Sequence, residues 1–450
     1  MRERDPGAPP PAIVLAGGAA TAGWSAGVHA DAREAELVLD AVLALDDEVV
    51  VMAPVAGERG IEHLAEPVDD HRLLHLRQNA AVDFGVVVRR TRGLHQRAAR
   101  HQNDTPAELL DRGALLFIGA DHIMIADTGS TDGTAEKARI HGATVHSICI
   151  SPWRFDHARN AALSLIPADI DICISLDLDE VMEPGWREEI ERVWKLGETT
   201  QLRYYFDWGC GIKFMYEKIH ARHGYHWHHP CHEYPRADAR VQVVWAQTDK
   251  LLVSHHPDPT KSRGQYLDLL ELSVKEDPFC PRNAFYYARE LSFHGKWQQA
   301  IEACKSYLNM PNATWMNERC YALRVMGRCY QEVGDWKAAE NAFHMASVEA
   351  PNTREPWCEL ALLLYRQSRW AECFAFSMRA LGITDRELVY TCDPTVWEHW
   401  PHDLAAISAW HLGLKDIAIE QGKLALEKTP NDARLQANLD WFLGKEKEAA

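Results

Sequence analysis

No apolar run in the 450 residues reaches eighteen, so the sequence offers no stretch of the length a transmembrane helix needs. It has no Cys-x-x-Cys pair either. The eleven cysteines begin only at Cys149 and follow no regular spacing. That usage fits reduced thiols in a cytoplasmic compartment better than a disulfide frame or a zinc site. The N-terminus, Met1-Arg-Glu-Arg-Asp-Pro-Gly, has basic residues, but the apolar piece after it is short and broken by glycine, so no secretory signal is read. Positive charge is also scarce. With 48 Lys and Arg against 65 Asp and Glu, the net charge is −17, which argues against a general nucleic-acid coat. The one basic cluster, Arg89, Arg90, Arg92, Arg97 and Arg100, reads as a solvated face or as an acceptor or phosphate patch. What remains is an ordinary globular composition, 46% hydrophobic and 25% charged, on a chain long enough for two or three domains.

Residues 1–81 read as an N-terminal extension, at most a small α/β unit. Ala12–Ala16 and Glu48–Met52 have the look of short strands, and Asp31–Leu45 of a helix between them. Gly17–Gly23 is only loosely like a phosphate-binding turn, since it lacks the full Gly-x-Gly-x-x-Gly pattern. From residue 82 a cleaner alternation begins. Asp83–Val88 is a candidate strand, and His122–Ala126 is a second, running into Asp127-Thr-Gly-Ser-Thr-Asp-Gly-Thr134. That loop holds two glycines for tight turns and several capping side chains. A helix over Ala135–His141 stops at Gly142, and Thr144–Ile148 returns as a strand. Asp156 is placed to cap a further helix over His157–Ile166.

The next strand, Ile172-Cys-Ile-Ser-Leu-Asp-Leu-Asp-Glu180, alternates with a period of two and directs Asp177 and Asp179 to one side at its end. Two such close carboxylates repel unless a cation sits near them, so the pair is a candidate seat for Mg²⁺ or Mn²⁺. Strands alternating with helices predict a mostly parallel, Rossmann-like sheet, with ligands at the carboxyl ends of its strands. Asp127 should then converge with Asp177 and Asp179.

Asp127–Thr134, Phe155-Asp-His-Ala-Arg-Asn-Ala-Ala162 and Leu176-Asp-Leu-Asp-Glu180, in that order and spacing, resemble family 2 glycosyltransferases of the GT-A fold. The resemblance covers residues 82–265 and departs from the family at Val86-Val-Val-Arg-Arg90, where the first strand usually reads Val-x-Lys-Asn-Glu. It implies a nucleotide-sugar donor, a divalent metal and transfer to a hydroxyl acceptor. In that pattern Asp127, with Gly129, Ser130 and Asp132 of its loop, binds the nucleobase side. Asp177 takes the ribose side, Asp179 holds the metal, and Arg159 and Asn160 line the nucleotide pocket.

Six histidines crowd into residues 220–232, but without paired ligand spacing a zinc site is not the favoured reading. His232-Glu233 matches a His-Glu that related glycosyltransferases carry. A sugar hydroxyl must lose its proton as it attacks, and Glu233 is the candidate base. By the same resemblance His255 or His256 completes the metal site, with His255 slightly favoured, and Lys261 and Arg263 neutralise the diphosphate.

Strand patterns vanish after residue 265. Gly295-Lys-Trp-Gln-Gln-Ala300, Gly334-Asp-Trp-Lys-Ala-Ala339, Ser368-Arg-Trp-Ala-Glu-Cys373 and, more weakly, Gly413-Leu-Lys-Asp-Ile-Ala418 are variants of one unit, closed by Pro311, Pro351 and Pro430. Residues 266–450 resemble tetratricopeptide helical repeats of irregular length. Such an array presents a binding surface, here for a protein or peptide acceptor.

The expectation is therefore a metal-dependent inverting glycosyltransferase acting on a protein, glycan, lipid or modified nucleobase. The acidity disfavours the nucleobase, although a local arginine patch would suffice for it. Two other readings compete with this one. The first is a repeat scaffold with an inactive donor-binding domain, and the second is a sugar nucleotidyltransferase.

Overall fold

A computed structural model describes residues 82–88, 120–130, 133–140, 142–177, 179–256 and 264–444. The extension over residues 1–81, the Arg89–Arg100 cluster, Asp132, Lys261 and Arg263 lie outside the described residues. The chain forms two compact units that divide between Gln265 and Tyr266.

The first unit is built on an eight-stranded sheet. Its strands in chain order are β1 (Val82–Val88), β2 (His122–Asp127), β3 (Thr144–Ser147), β4 (Ile172–Asp177), β5 (Glu180–Met182), β6 (Gln201–Gly209), β7 (Ile212–Ala221) and β10 (Trp245–His255). They lie side by side as β3-β2-β1-β4-β7-β6-β10-β5. The short strands β8 (Tyr225–His228) and β9 (Tyr234–Ala237) pair separately.

The sheet is mixed, which corrects the expectation of a mostly parallel one. β1 runs antiparallel to both β2 and β4. β7 is antiparallel to β4, and only two residues, Cys210 and Gly211, join it to β6. A connection that short forces the two strands antiparallel, and both residues adopt the left-handed φ such turns need. Because β2 and β4 both oppose β1, they still run parallel to each other. Val82 of β1 faces Asp127 and Asp83 faces Asp177 across the ladders, so both acidic strand ends meet one edge.

Among the described residues three helices accompany the sheet: α1 (Thr134–Ile140), α2 (Phe155–Leu165) and α3 (Trp186–Val193). Asp156 does not cap α2 from outside. It lies in the first turn, where its carboxylate accepts from Arg154 Nε and Nη2 at 3.0 and 2.8 Å. Met124, Leu163, Ile166, Ile170, Cys173 and Trp227 form one core between α2 and the sheet.

The second unit is wholly helical among the described residues. After α4 (Tyr266–Glu276) come four antiparallel pairs: α5 (Pro281–Phe293) with α6 (Trp297–Leu308), α7 (Met316–Glu332) with α8 (Trp336–Glu349), α9 (Glu355–Arg366) with α10 (Trp370–Leu381), and α11 (Trp400–His411) with α12 (Lys415–Lys428). α13 (Ala433–Phe442) covers the last pair through Phe442. These are tandem tetratricopeptide-like repeats. Each Gly-x-Trp-type motif marks the turn inside a pair. Gly295, Gly334, Ser368 and Gly413 all take left-handed φ, and Trp297, Trp336 and Trp370 open the second helices. Apolar side chains of α8, α9, α10 and α11 share one core, so each pair is sealed by its neighbour.

The repeat lengths are irregular for a visible reason. Between α10 and α11 the chain makes a 3-10 turn, Pro394–Trp397, and folds back on the first helices of earlier pairs. Tyr390 donates its hydroxyl to Glu318 of α7, and the Asp393 N–H donates to Glu355 of α9 at 2.9 Å.

Candidate functional site

The sheet edge that gathers Asp127 and Asp177 also gathers the end of β10. β4 stops at Asp177, the chain turns, and Glu180 opens β5, which pairs with β10 so that Glu180 faces His255. The single strand expected over Ile172–Glu180 is therefore two strands with a turn between them. Asp177 and Asp179 do not point together into one seat but take different partners.

Asp177 belongs to a buried network of charges. Its Oδ1 accepts from Arg159 Nη2 at 2.8 Å, and its Oδ2 from Lys218 Nζ. Arg159, 1% exposed and carried on α2, also donates Nε to Glu233 Oε1 and lies 4.6 Å over the Trp227 ring. Lys218, 2% exposed on β7, donates to Glu180 Oε1 at 2.9 Å as well. The other oxygen of Glu180 accepts the Asp177 N–H at 3.0 Å. Two cations thus bind three carboxylates in a space closed to water, where such groups persist only when paired. Burial and then the neighbouring Asp177 charge push the Glu180 carboxyl up to about 8, against the pull of Lys218. Burial alone would lower the Lys218 ammonium, but Asp177 and Glu180 together outweigh it and hold it well above its ordinary value.

Asp179, on the turn, approaches His255, with Oδ2 and Nε2 3.4 Å apart. The His255 ring is fixed by stacking on Trp208, with centroids 4.1 Å apart. His256 contributes its backbone N–H, which donates to the Asp179 carbonyl at 2.6 Å, while its side chain is exposed. One carboxylate and one imidazole, both buried, are donor types that a divalent ion accepts. Among the described residues no three His, Cys, Asp or Glu side chains gather as a metal cage.

Asp127 is buried at the end of β2, and its Oδ1 accepts the Ser130 N–H at 3.0 Å, closing a loop in which Gly129 takes φ +111°. Asn160 is engaged with the backbone of β8. Its amide donates to the Trp227 carbonyl at 2.8 Å and accepts the Trp227 N–H at 2.7 Å, which ties α2 to β8. His232 and Glu233 are both buried and lie in the connection from β8 to β9, where His229 and His232 adopt φ +82° and +53°. Sequence reasoning missed Lys218, Glu180, Trp208 and Trp227. For Lys218 a signal existed, because Ile212, Phe214, Tyr216, Lys218 and His220 share one face of an alternating strand.

The fold thus defines a mixed α/β unit followed by a tetratricopeptide-like array. No family model and no curated protein matches the sequence. Several solved structures show a slight similarity. The Cut9–Hcn1 hetero-tetramer of the APC/C matches over 40% of this chain at 14% identity and TM-score 0.33. This chain spans only 33% of that protein's length. YrrB, a tetratricopeptide repeat protein with an unusual peptide-binding site, matches over 40% of this chain and 87% of its own, at 14% identity and TM-score 0.32. PilF of Pseudomonas aeruginosa matches over 40% and 72%, at 13% identity and TM-score 0.31. Likenesses this slight carry nothing about function. Among the described residues no helix is long and apolar enough to cross a membrane.

Proposed function

We propose that the chain is a metal-dependent inverting glycosyltransferase that moves a sugar from a nucleotide donor to a hydroxyl on a protein, glycan, lipid or modified nucleobase. One observation carries the reading. Asp127, Asp177 with Arg159 and Glu233, and the Asp179–His255 pair all meet one edge of the sheet. Open α/β sheets bind ligands at such an edge.

In this reading Asp127 accepts hydrogen bonds from the nucleobase, and Asp177 faces the ribose. Asp179 and His255 would hold Mn²⁺ or Mg²⁺, which would supply charge neutralisation for the diphosphate. Arg159 orients Glu233 through Oε1, and Glu233 Oε2 takes the acceptor proton as the hydroxyl attacks the anomeric carbon. A single displacement inverts that centre. The repeats are the place for a protein or peptide acceptor.

A second reading, a scaffold with an inert donor domain, is favoured by the closure of Asp177 and Glu233 in ion pairs with Arg159. Thermal stabilisation by a panel of sugar nucleotides, each with and without Mn²⁺ or Mg²⁺, separates the two. The transferase reading expects a metal-dependent shift with one donor, lost in Asp179→Ala. Absence of any shift with any donor would leave the scaffold.

A further inference from the structure

Asp179 lies in the short connection from β4 to β5, and both flanks of that connection are held by the same side chain. Asp177, before the turn, and Glu180, after it, each give one oxygen to the Lys218 ammonium. Glu180 then returns its other oxygen to the Asp177 N–H, closing a ring of bonds around the turn. Lys218 comes from β7, 41 residues along the chain from Asp177, and at 2% exposure it is among the largest fully buried side chains. Burying an ammonium is costly unless its partners are positioned for it, and an apolar side chain would fill the same space with less penalty. A lysine here therefore needs a reason beyond packing. Without it, the two carboxyl groups lose the donor they share, and only the bond from the Asp177 N–H to Glu180 still spans the turn.

We propose that Lys218 is a positioning residue of the donor site, tying Asp177 to Glu180 so that Asp179 is presented to His255. The inference rests on the glycosyltransferase reading, because it assigns Lys218 a task in holding the metal and the diphosphate. Lys218 touches neither. It acts through the turn, as groups behind metal ligands do.

The test uses the full chain and measures Mn²⁺ bound, from the loss of the free-ion EPR signal, in the presence of UDP or of GDP. Far-UV circular dichroism and a thermal melt establish folding for each variant. With wild type binding, Lys218→Met should stay folded at the assay temperature yet bind Mn²⁺ about tenfold or more weakly, in the range seen when groups supporting metal ligands are removed. Lys218→Arg, which keeps the charge, should restore most of the affinity. Glu180→Gln removes the other partner and should weaken binding in the same direction, which keeps the test decisive if Lys218→Met does not fold. Folded Lys218→Met or Glu180→Gln that binds like wild type would reduce the lysine to a structural ion pair and overturn the inference. So would a folded Lys218→Arg as weak as Lys218→Met. A wild-type chain that binds Mn²⁺ with neither nucleotide fails one step earlier, at the donor-site reading, and the positioning role falls with it.

Discussion

His220 has no exposed surface and sits on β7 two residues beyond Lys218. Its Nδ1–H donates to the Ala221 carbonyl at 2.8 Å, and its ring stacks on Tyr225 at 5.0 Å. Nε2 is buried without a hydrogen-bond partner among the described residues, so a proton added there would find no acceptor. Burial lowers the imidazole pKa to about 4. In the unfolded chain the same group titrates near 6.5, so between these values the unfolded state binds more protons. Stability that is full above pH 6.5 is then lost as pH falls toward 4, by up to roughly 3 kcal/mol from this group. Urea denaturation at pH 7 and pH 5 should show that loss in wild type and a smaller one in His220→Phe. Equal losses in the two proteins would move the effect to other groups. Lys218 and His220 also show what the sequence could reveal at this scale. Their place on the inward face of an alternating strand was readable, whereas the identity of their partners was not. Asp177 lies 41 residues from Lys218, and only the pairing of β4 with β7 brings the two together. The same holds for Asn160, whose amide is taken up by the backbone of a strand 67 residues on.

At the scale of elements, local signals were legible and strand direction was not. Gly-x-Trp motifs marked the turns of the helical pairs because a left-handed residue and the first turn of a helix are set within a few residues. The antiparallel course of β1 depends on pairing with strands 34 or more residues away, and no local pattern states a direction. Three of the four turns place glycine at the left-handed position, and the fourth places Ser368, with φ +57°. Ser368 is exposed, and its N–H donates to the Tyr365 carbonyl at 2.9 Å, a bond that glycine keeps. The side chain therefore adds strain without packing. Ser368→Gly should stabilise the protein by about 0.5–1 kcal/mol, the left-handed cost of an L residue less the extra chain entropy of glycine. The converse change, Gly334→Ala at φ +81°, should destabilise by about 1 kcal/mol. Denaturant midpoints of the two variants check both signs. A Ser368→Gly variant less stable than wild type would mean that the serine side chain has a role its exposure does not show.

For the whole molecule, the two units have separate cores. Met124, Leu163, Ile166, Ile170, Cys173 and Trp227 lie in the sheet unit, whereas the cluster built on Leu360–Leu364 draws only on repeat helices. Every residue assigned to the proposed donor site among those described belongs to the sheet unit. Separate cores predict two calorimetric transitions, since cooperativity follows the contiguous packing of a core. In the proposed reading a donor nucleotide with Mn²⁺ would bind one unit, so mass action should raise one transition and leave the other where it was. At a ligand concentration about a hundredfold above Kd the gain is roughly 2.7 kcal/mol, enough to separate overlapping peaks. Asp179→Ala should return the moved transition to its unliganded position. The two melt independently only if the stationary transition holds its place at every ligand concentration. If both move together, the repeats and the sheet unfold as one cooperative body, and ligand bound at the sheet edge stabilises the whole chain.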